Sequence, residues 1–172
     1  MAYHRENGVK FRLHHNFNSK LMQLNYWAPH VTVAAIIERE GKFLLVEEVI
    51  NGETVINQPA GHLDNNESLL DAVVRETLEE TRWDFEPLYI SGIYRWKHDN
   101  GETYLRICFV GNVTQEHPEL ALDTGIESTL WLPAEELKNN SRFTLRSPLV
   151  EQCINDYQSG HRYPLSLVQD IC

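Results

Sequence analysis

Glu76, Glu79 and Glu80 stand at i, i+3 and i+4 of a segment whose pattern predicts a helix from about Ser68 to Thr81. At about 100° per residue, three carboxylates so spaced project from one face within a single turn. They repel one another by a few tenths of a kcal/mol per i, i+4 pair, and they occupy the last helical turn, where the macrodipole disfavours anions. A divalent cation reverses the sign of both terms, because hard ions such as Mg²⁺ take carboxylate oxygens as ligands. A merely solvated helix face carries the same letters, so the triplet alone leaves metal binding and plain solubility both open. The other side of the segment presents Leu70, Val73, Val74 and Thr77, an apolar stripe that predicts packing on a sheet with the acidic face turned away from the core.

The flanking residues separate these alternatives. Gly61 is followed after five residues by Glu67 and, seven further on, by Arg75-Glu76-Thr77-Leu78-Glu79-Glu80. That is the spacing G-x5-E-x7-R-E-U-x-E-E, and through it the chain resembles the Nudix hydrolase family. His30-Val-Thr-Val-Ala34, Asn57-Gln-Pro-Ala-Gly-His-Leu63, Leu145–Val150 and Tyr157–Leu165 extend the resemblance, towards a phosphatase branch of that family, over most of residues 29–167. The resemblance implies an α+β fold, an α/β/α sandwich around a mixed central sheet. It also implies Mg²⁺ or Mn²⁺ held by Glu76, Glu79 and Glu80, with the Gly61 carbonyl as a further oxygen ligand and Glu67 and Arg75 in support. Arg75 would orient a carboxylate by pairing with Glu67 or with Glu79. The chemistry implied is attack of water on phosphorus, with Glu79 or Glu80 as the base, or Glu127 from a loop before Trp131. Expected substrates are nucleoside di- and triphosphates and pyrophosphorylated thiamine intermediates such as hydroxymethylpyrimidine diphosphate, with orthophosphate as the product. Two alternatives stand beside this: release of pyrophosphate, and a regulator that binds nucleotides without cutting them, against which the four retained box carboxylates argue.

Candidate substrate contacts are Arg95, Arg106 and Arg146, whose guanidinium groups suit phosphate oxygens, Trp96, whose indole can stack on a heterocycle, and His62 beside the box glycine. The sequence departs from the box at Arg82, where the family has a glycine that ends the helix in a left-handed conformation. Such a conformation costs any other residue about 1 kcal/mol. Thr77 at the apolar box position is a milder variation.

Positioning these groups falls to a mixture of strands and helices without strict alternation. Val31–Ile37 and Phe43–Val46, separated by Glu40-Gly41, predict a hairpin, and Asn57–Gly61 a breaker-rich connection into the helix. Pro87 predicts the exit towards a strand near Leu88–Tyr94, Asp99-Asn-Gly101 a turn before a strand Tyr104–Val113, and Trp131–Pro133 a short strand entering a helix. Ser147-Pro148 opens a last helix to about Gln158, stopped by Gly160. With 172 residues, one domain is expected, spanning 25–172 after a basic, flexible extension 1–24 in which Met22 offers an alternative start. Cys108, Cys153 and Cys172 are spaced as reduced structural thiols. A net charge of −10 excludes a general nucleic-acid binder, and no apolar run reaches membrane-spanning length, so a cytoplasmic monomer or homodimer acting on a small molecule is expected. The same charge opposes an anionic substrate unless a cation locally reverses the field.

Overall fold

A computed structural model describes residues 27–138 and 141–171. The expected extension 1–24, Met22 and Cys172 lie outside the described residues. The elements run β1 (His30–Arg39), β2 (Lys42–Ile50), β3 (Glu53–Asn57), β4 (Ala60–His62), α1 (Leu69–Thr81), β5 (Trp83–Lys97), β6 (Thr103–Glu116), β7 (Ile126–Pro133), α2 (Ala134–Lys138), β8 (Thr144–Leu145) and α3 (Pro148–Gln158), with a 3₁₀ turn at Leu165–Leu167.

The sheet is mixed. β1 pairs in parallel with β6 and antiparallel with β4, and its last residues form the expected hairpin with β2. Glu40 and Gly41 both take positive φ, as that tight turn demands. β1 and β6 read as continuous apolar runs because both of their faces are covered. Val33, Ala35 and Ile37, with Ile107 and Phe109, pack with Ala72 and Val73 of α1. The alternate residues Ala34, Ile36, Cys108 and Val110 pack with Cys153 and Ile154 of α3. The period of two along each strand thus assigns one helix to each face. This is the expected α/β/α sandwich, with the sheet curled between its helices.

Four elements differ from expectation. β3 is not among the expected strands, although Asn51-Gly52, both at positive φ, turn β2 back on it. β4 lies in the supposed breaker segment. β5 begins directly after α1 and runs through Pro87, not from it. Proline is tolerated there because β5 is an edge strand and its register shifts between Pro87 and Tyr89. β7 starts at Ile126, so Glu127 belongs to a strand and not to a loop. It sits, exposed, where the pairing with β2 is interrupted between Glu47 and Glu48.

Candidate active site

Helix α1 is fixed at both ends. Ser68 caps its start, accepting a hydrogen bond from the Asp71 N–H at 3.0 Å. Arg82 ends it at φ 64°, in the left-handed region expected from its box position, with its N–H donating to the Leu78 carbonyl at 2.7 Å. Thr77 and Thr81 are buried, and their hydroxyls donate to the carbonyls of Val73 and Thr77, which satisfies them within the helix.

The acidic face is not turned away from the core as its composition suggested. Glu76 and Glu80 are 9% and 8% exposed, on the same inward arc as Ala72, Val73 and Thr77, whereas the Glu79 side chain is 47% exposed. What makes this burial possible is β4, which passes beneath the helix. The Ala60 N–H donates to Glu80 Oε2 at 2.8 Å. Gly61 faces Glu76 so closely that a Cβ there would overlap its carboxyl group. Arg75 holds the remaining acids together: its guanidinium grips Glu67 at 2.7 and 2.9 Å, donates to Glu76 at 2.8 Å and Glu79 at 3.1 Å, and donates to the His62 carbonyl at 3.1 Å. Both expected partners, Glu67 and Glu79, are thus engaged at once, with Glu76 in addition.

Burial sets the electrostatics. Glu80 is pushed up to about 8, chiefly by desolvation, with the Ala60 N–H opposing and the charges of Glu76, Glu48 and Asp123 adding to it. Desolvation also raises Glu76 against the pull of Arg75, and raises Glu48 against that of Arg146. The hydrogen bonds from Arg75 hold Glu67 below the usual carboxylate range, and Glu67 in turn raises Arg75. A cluster of desolvated acids, with oxygen atoms as the only donors, fits a hard divalent cation. Among the described residues no three acidic, histidine or cysteine side chains are already gathered as ligands, and Arg75 pairs with both Glu76 and Glu79.

Beside Glu80 opens a cleft of about 390 Å³. Its floor is the α3 face of the sheet beyond the helix, laid out in rows by strand pairing. His30, Tyr104 and Trp96 are neighbours across β1, β6 and β5, and the next row holds His62, Thr32 and Arg106 across β4, β1 and β6. Tyr104 lies 5.0 Å from the His30 ring and 5.4 Å from that of Trp96. Of the residues expected to contact substrate, His62, Trp96, Arg106 and Arg146 line this cleft. Arg95 does not: it pairs with Leu105, one residue out of phase with Trp96, and so faces the other side of the sheet. Glu127 is likewise absent from the lining.

Glu48 and Asp123 were missed. Glu48 shares a strand face with the buried Leu44 and Val46, which strand alternation could have shown. Asp123 has no such signal. It is brought in by a loop whose Asp123 N–H donates to the Glu79 carbonyl at 2.9 Å.

Comparison with known proteins agrees with this geometry. The NUDIX domain model matches residues 28–152. The chain belongs to the Nudix hydrolase family. It is 44% identical over 142 residues to the phosphatase NudJ of Escherichia coli K12, covering 83% of this chain and 92% of that one. A Nudix hydrolase structure from Nitrosomonas europaea superposes with a TM-score of 0.79 at 47% identity, over 84% of this chain and 98% of the other. A UDP-X diphosphatase structure, at 18% identity and a TM-score of 0.64 over 81% of this chain and 67% of the other, shares the fold. The protein is therefore an enzyme of this family, whose members use divalent metal ions on small phosphorylated substrates. Among the described residues no helix is long and apolar enough to cross a membrane.

Proposed function

We propose that this Nudix hydrolase removes the terminal phosphate from nucleoside di- and triphosphates and from pyrophosphorylated heterocyclic metabolites, hydroxymethylpyrimidine diphosphate among them, releasing orthophosphate. The observation that carries this is the juxtaposition of the buried Glu76–Glu80 pair with a cleft that combines guanidinium groups and an aromatic rim. The likeness to the phosphatase NudJ supports the choice of product.

In this reading Glu76, Glu79, Glu80 and the Gly61 carbonyl hold Mg²⁺, or Mn²⁺ in its place. The ion supplies Lewis-acid polarisation of the phosphate and a lowered pKa for water. Arg75 orients the acids through its bonds to Glu67, Glu76 and Glu79. Trp96 and Tyr104 stack on the heterocycle, while Arg106 and Arg146 complement the phosphate charge. Water oxygen bonds to the terminal phosphorus as the bridging P–O bond breaks, and the electron pair leaves with the shortened phosphate ester. The proton goes to Glu79, whose half-exposed carboxylate can pass it to solvent, whereas Glu80 is enclosed and already accepts the Ala60 N–H. Glu127, exposed on β7 where its pairing with β2 is interrupted, is given no step in this reading.

The test is a product-resolved hydrolysis panel with Mg²⁺ over nucleoside di- and triphosphates, hydroxymethylpyrimidine diphosphate and dinucleoside polyphosphates, with Glu79→Gln as control. Orthophosphate from the wild type, lost in the variant, is expected. Pyrophosphate would move the enzyme to the pyrophosphohydrolase alternative, and no turnover at all would favour the nucleotide-binding regulator.

A further inference from the structure

Among the described residues five buried side-chain polar atoms have no hydrogen-bond partner within the protein: Thr32 Oγ1, Asn57 Oδ1, Arg82 Nε, Arg106 Nε and Ser147 Oγ. Four of them, all but that of Arg82, belong to residues that line the one cleft described above. Leaving a buried polar group unpaired costs about 1–3 kcal/mol, so orphans in folded proteins are rare and call for an explanation. Here they are concentrated on a single wall.

That wall is deep and preset. Thr32, Asn57, Arg106 and Ser147 are each 5–7% exposed, whereas the outer part of the cleft carries the half-buried Trp96, His98 and Tyr104. Thr32 and Arg106 are direct neighbours across the parallel β1–β6 pair, which fixes their spacing. Gln58, 1% exposed, orients Arg106: its Oε1 accepts from Arg106 Nη1 at 3.4 Å while its Nε2 donates to the Val150 carbonyl of α3 at 2.9 Å. The Nε edge of the guanidinium is left over. Ser147 sits at the cap position of α3, yet its hydroxyl makes no capping bond. With Pro148 at the first helical position, the helix offers no N–H there, and what it directs into the cleft is the positive end of its dipole and the free hydroxyl. A guanidinium, two hydroxyl groups and a helix N-terminus around one space are complementary to a tetrahedral oxyanion. Arg146, 50% exposed at the edge of the cleft, adds a second positive charge, which Glu48 balances at 3.6 Å.

We propose that Arg106, Ser147 and Thr32 form a phosphate-binding subsite, separate from the metal-holding carboxylates, that seats a phosphate group on the inner wall while the heterocycle stays at the aromatic rim. The subsite deepens the phosphatase function proposed above and rests on it for the identity of the natural ligand. Seating the terminal phosphate inside, with the ring outside, gives the enzyme a structural reason to cut the outermost anhydride and release orthophosphate. The occupant is the terminal phosphate of the substrate or the free orthophosphate product, which share the same chemistry.

The experiment is calorimetric titration of inorganic phosphate into the full chain in EDTA, where the carboxylates bind no divalent ion, for the wild type, Ser147→Ala and Thr32→Val. Ser147→Ala removes and Thr32→Val replaces by a methyl group a hydroxyl that bonds nothing in the protein, so folding is preserved; a thermal melt verifies this. Saturable binding is expected in the wild type. Each substitution should weaken it about tenfold or more, the effect of losing one hydrogen bond to a charged group. No binding in the wild type, or equal binding in both variants, would overturn the proposal and leave a wall that is only hydrated. Steady-state hydrolysis with Mg²⁺ assigns the source. A KM raised in Ser147→Ala by the same factor places the substrate phosphate there, and an unchanged KM with weakened product inhibition places orthophosphate there. Metal-dependent hydrolysis without phosphate binding in EDTA would sink the subsite and keep the proposed function. Phosphate binding without any hydrolysis would do the reverse.

Discussion

Gly61→Ala tests the link between β4 and the acidic helix. A Cβ at this position would overlap all three atoms of the Glu76 carboxyl group, and Glu76 is tethered on its other side by Arg75 at 2.8 Å. The added Cβ would lie 2.1 Å from the carboxyl carbon, and ordinary contact begins at 3.4 Å, so the carboxyl must retreat by about 1.3 Å, which breaks the Arg75 bond or displaces β4. A misplacement of that size costs on the order of 100-fold in rate when it falls on a positioning group. Overpacking costs about 1–3 kcal/mol of stability. The expected outcome is kcat/KM lowered about 100-fold, a higher Mg²⁺ concentration for half-maximal rate, and a lower Tm. Shortening the opposing side chain should relieve the overlap, so Gly61→Ala combined with Glu76→Asp should be more stable than Gly61→Ala alone. Orthophosphate release at a series of Mg²⁺ concentrations, with melting curves on the same samples, reads all of this. Wild-type activity and metal dependence in Gly61→Ala would refute the reasoning, since the close approach would then have no consequence.

Arg82→Gly should raise Tm by about 2–4 °C, because glycine relieves a left-handed conformation worth about 1 kcal/mol; a fall measured by calorimetry would show that Arg82 contributes more than its backbone costs. In EDTA, stability should fall as pH rises from about 4.5 towards about 8. Glu80 keeps its proton in the folded state over that window while the unfolded chain gives its own up, so the contribution is complete below the unfolded value and lost through the folded one. Burial raises Glu76 and Glu48 in the same direction. Melts across that range should show a shallower decline for Glu80→Gln, and saturating Mg²⁺ should flatten the wild-type curve, because ligation requires ionised carboxylates. Equal slopes with and without the variant would contradict the assignment. Trp96→Ala should raise KM for nucleotide substrates about tenfold while leaving kcat within about twofold, as stacking is worth about 1–3 kcal/mol per base; an unchanged KM would remove Trp96 from the binding surface.

The motif from Gly61 to Glu80 was legible because its spacing is local: six residues in a helical stretch define a face, and one glycine defines a close approach. Which way that face points was not legible. Apolarity alone turned Glu76 and Glu80 towards solvent, and only the passage of β4 under α1, with the Ala60 N–H as a partner, makes their burial tolerable. The hairpin, the helix boundaries at Ser68 and Arg82 and the last helix followed from caps and turn residues. β3 escaped notice although Asn51-Gly52 marks its start, and Pro87 misled because the position of β5 at the sheet edge cannot be seen locally. Arg106 and Thr32 become neighbours only through parallel pairing across more than seventy intervening residues, so no spacing in the chain announces the inner wall of the cleft. The placement of Glu127 failed for a related reason: the strand that contains it is longer than its apolar part.

The central claim is that α1 carboxylates hold a divalent ion for phosphoanhydride cleavage, and the most direct measurement is the rate of orthophosphate release from a nucleoside diphosphate against Mg²⁺ concentration in the wild type and Glu80→Gln. The expected result is no turnover in EDTA, a saturable rise with Mg²⁺ in the wild type, and a loss of at least about 100-fold in the variant with its fold intact. Metal-independent turnover, or a variant as fast as the wild type, would contradict it.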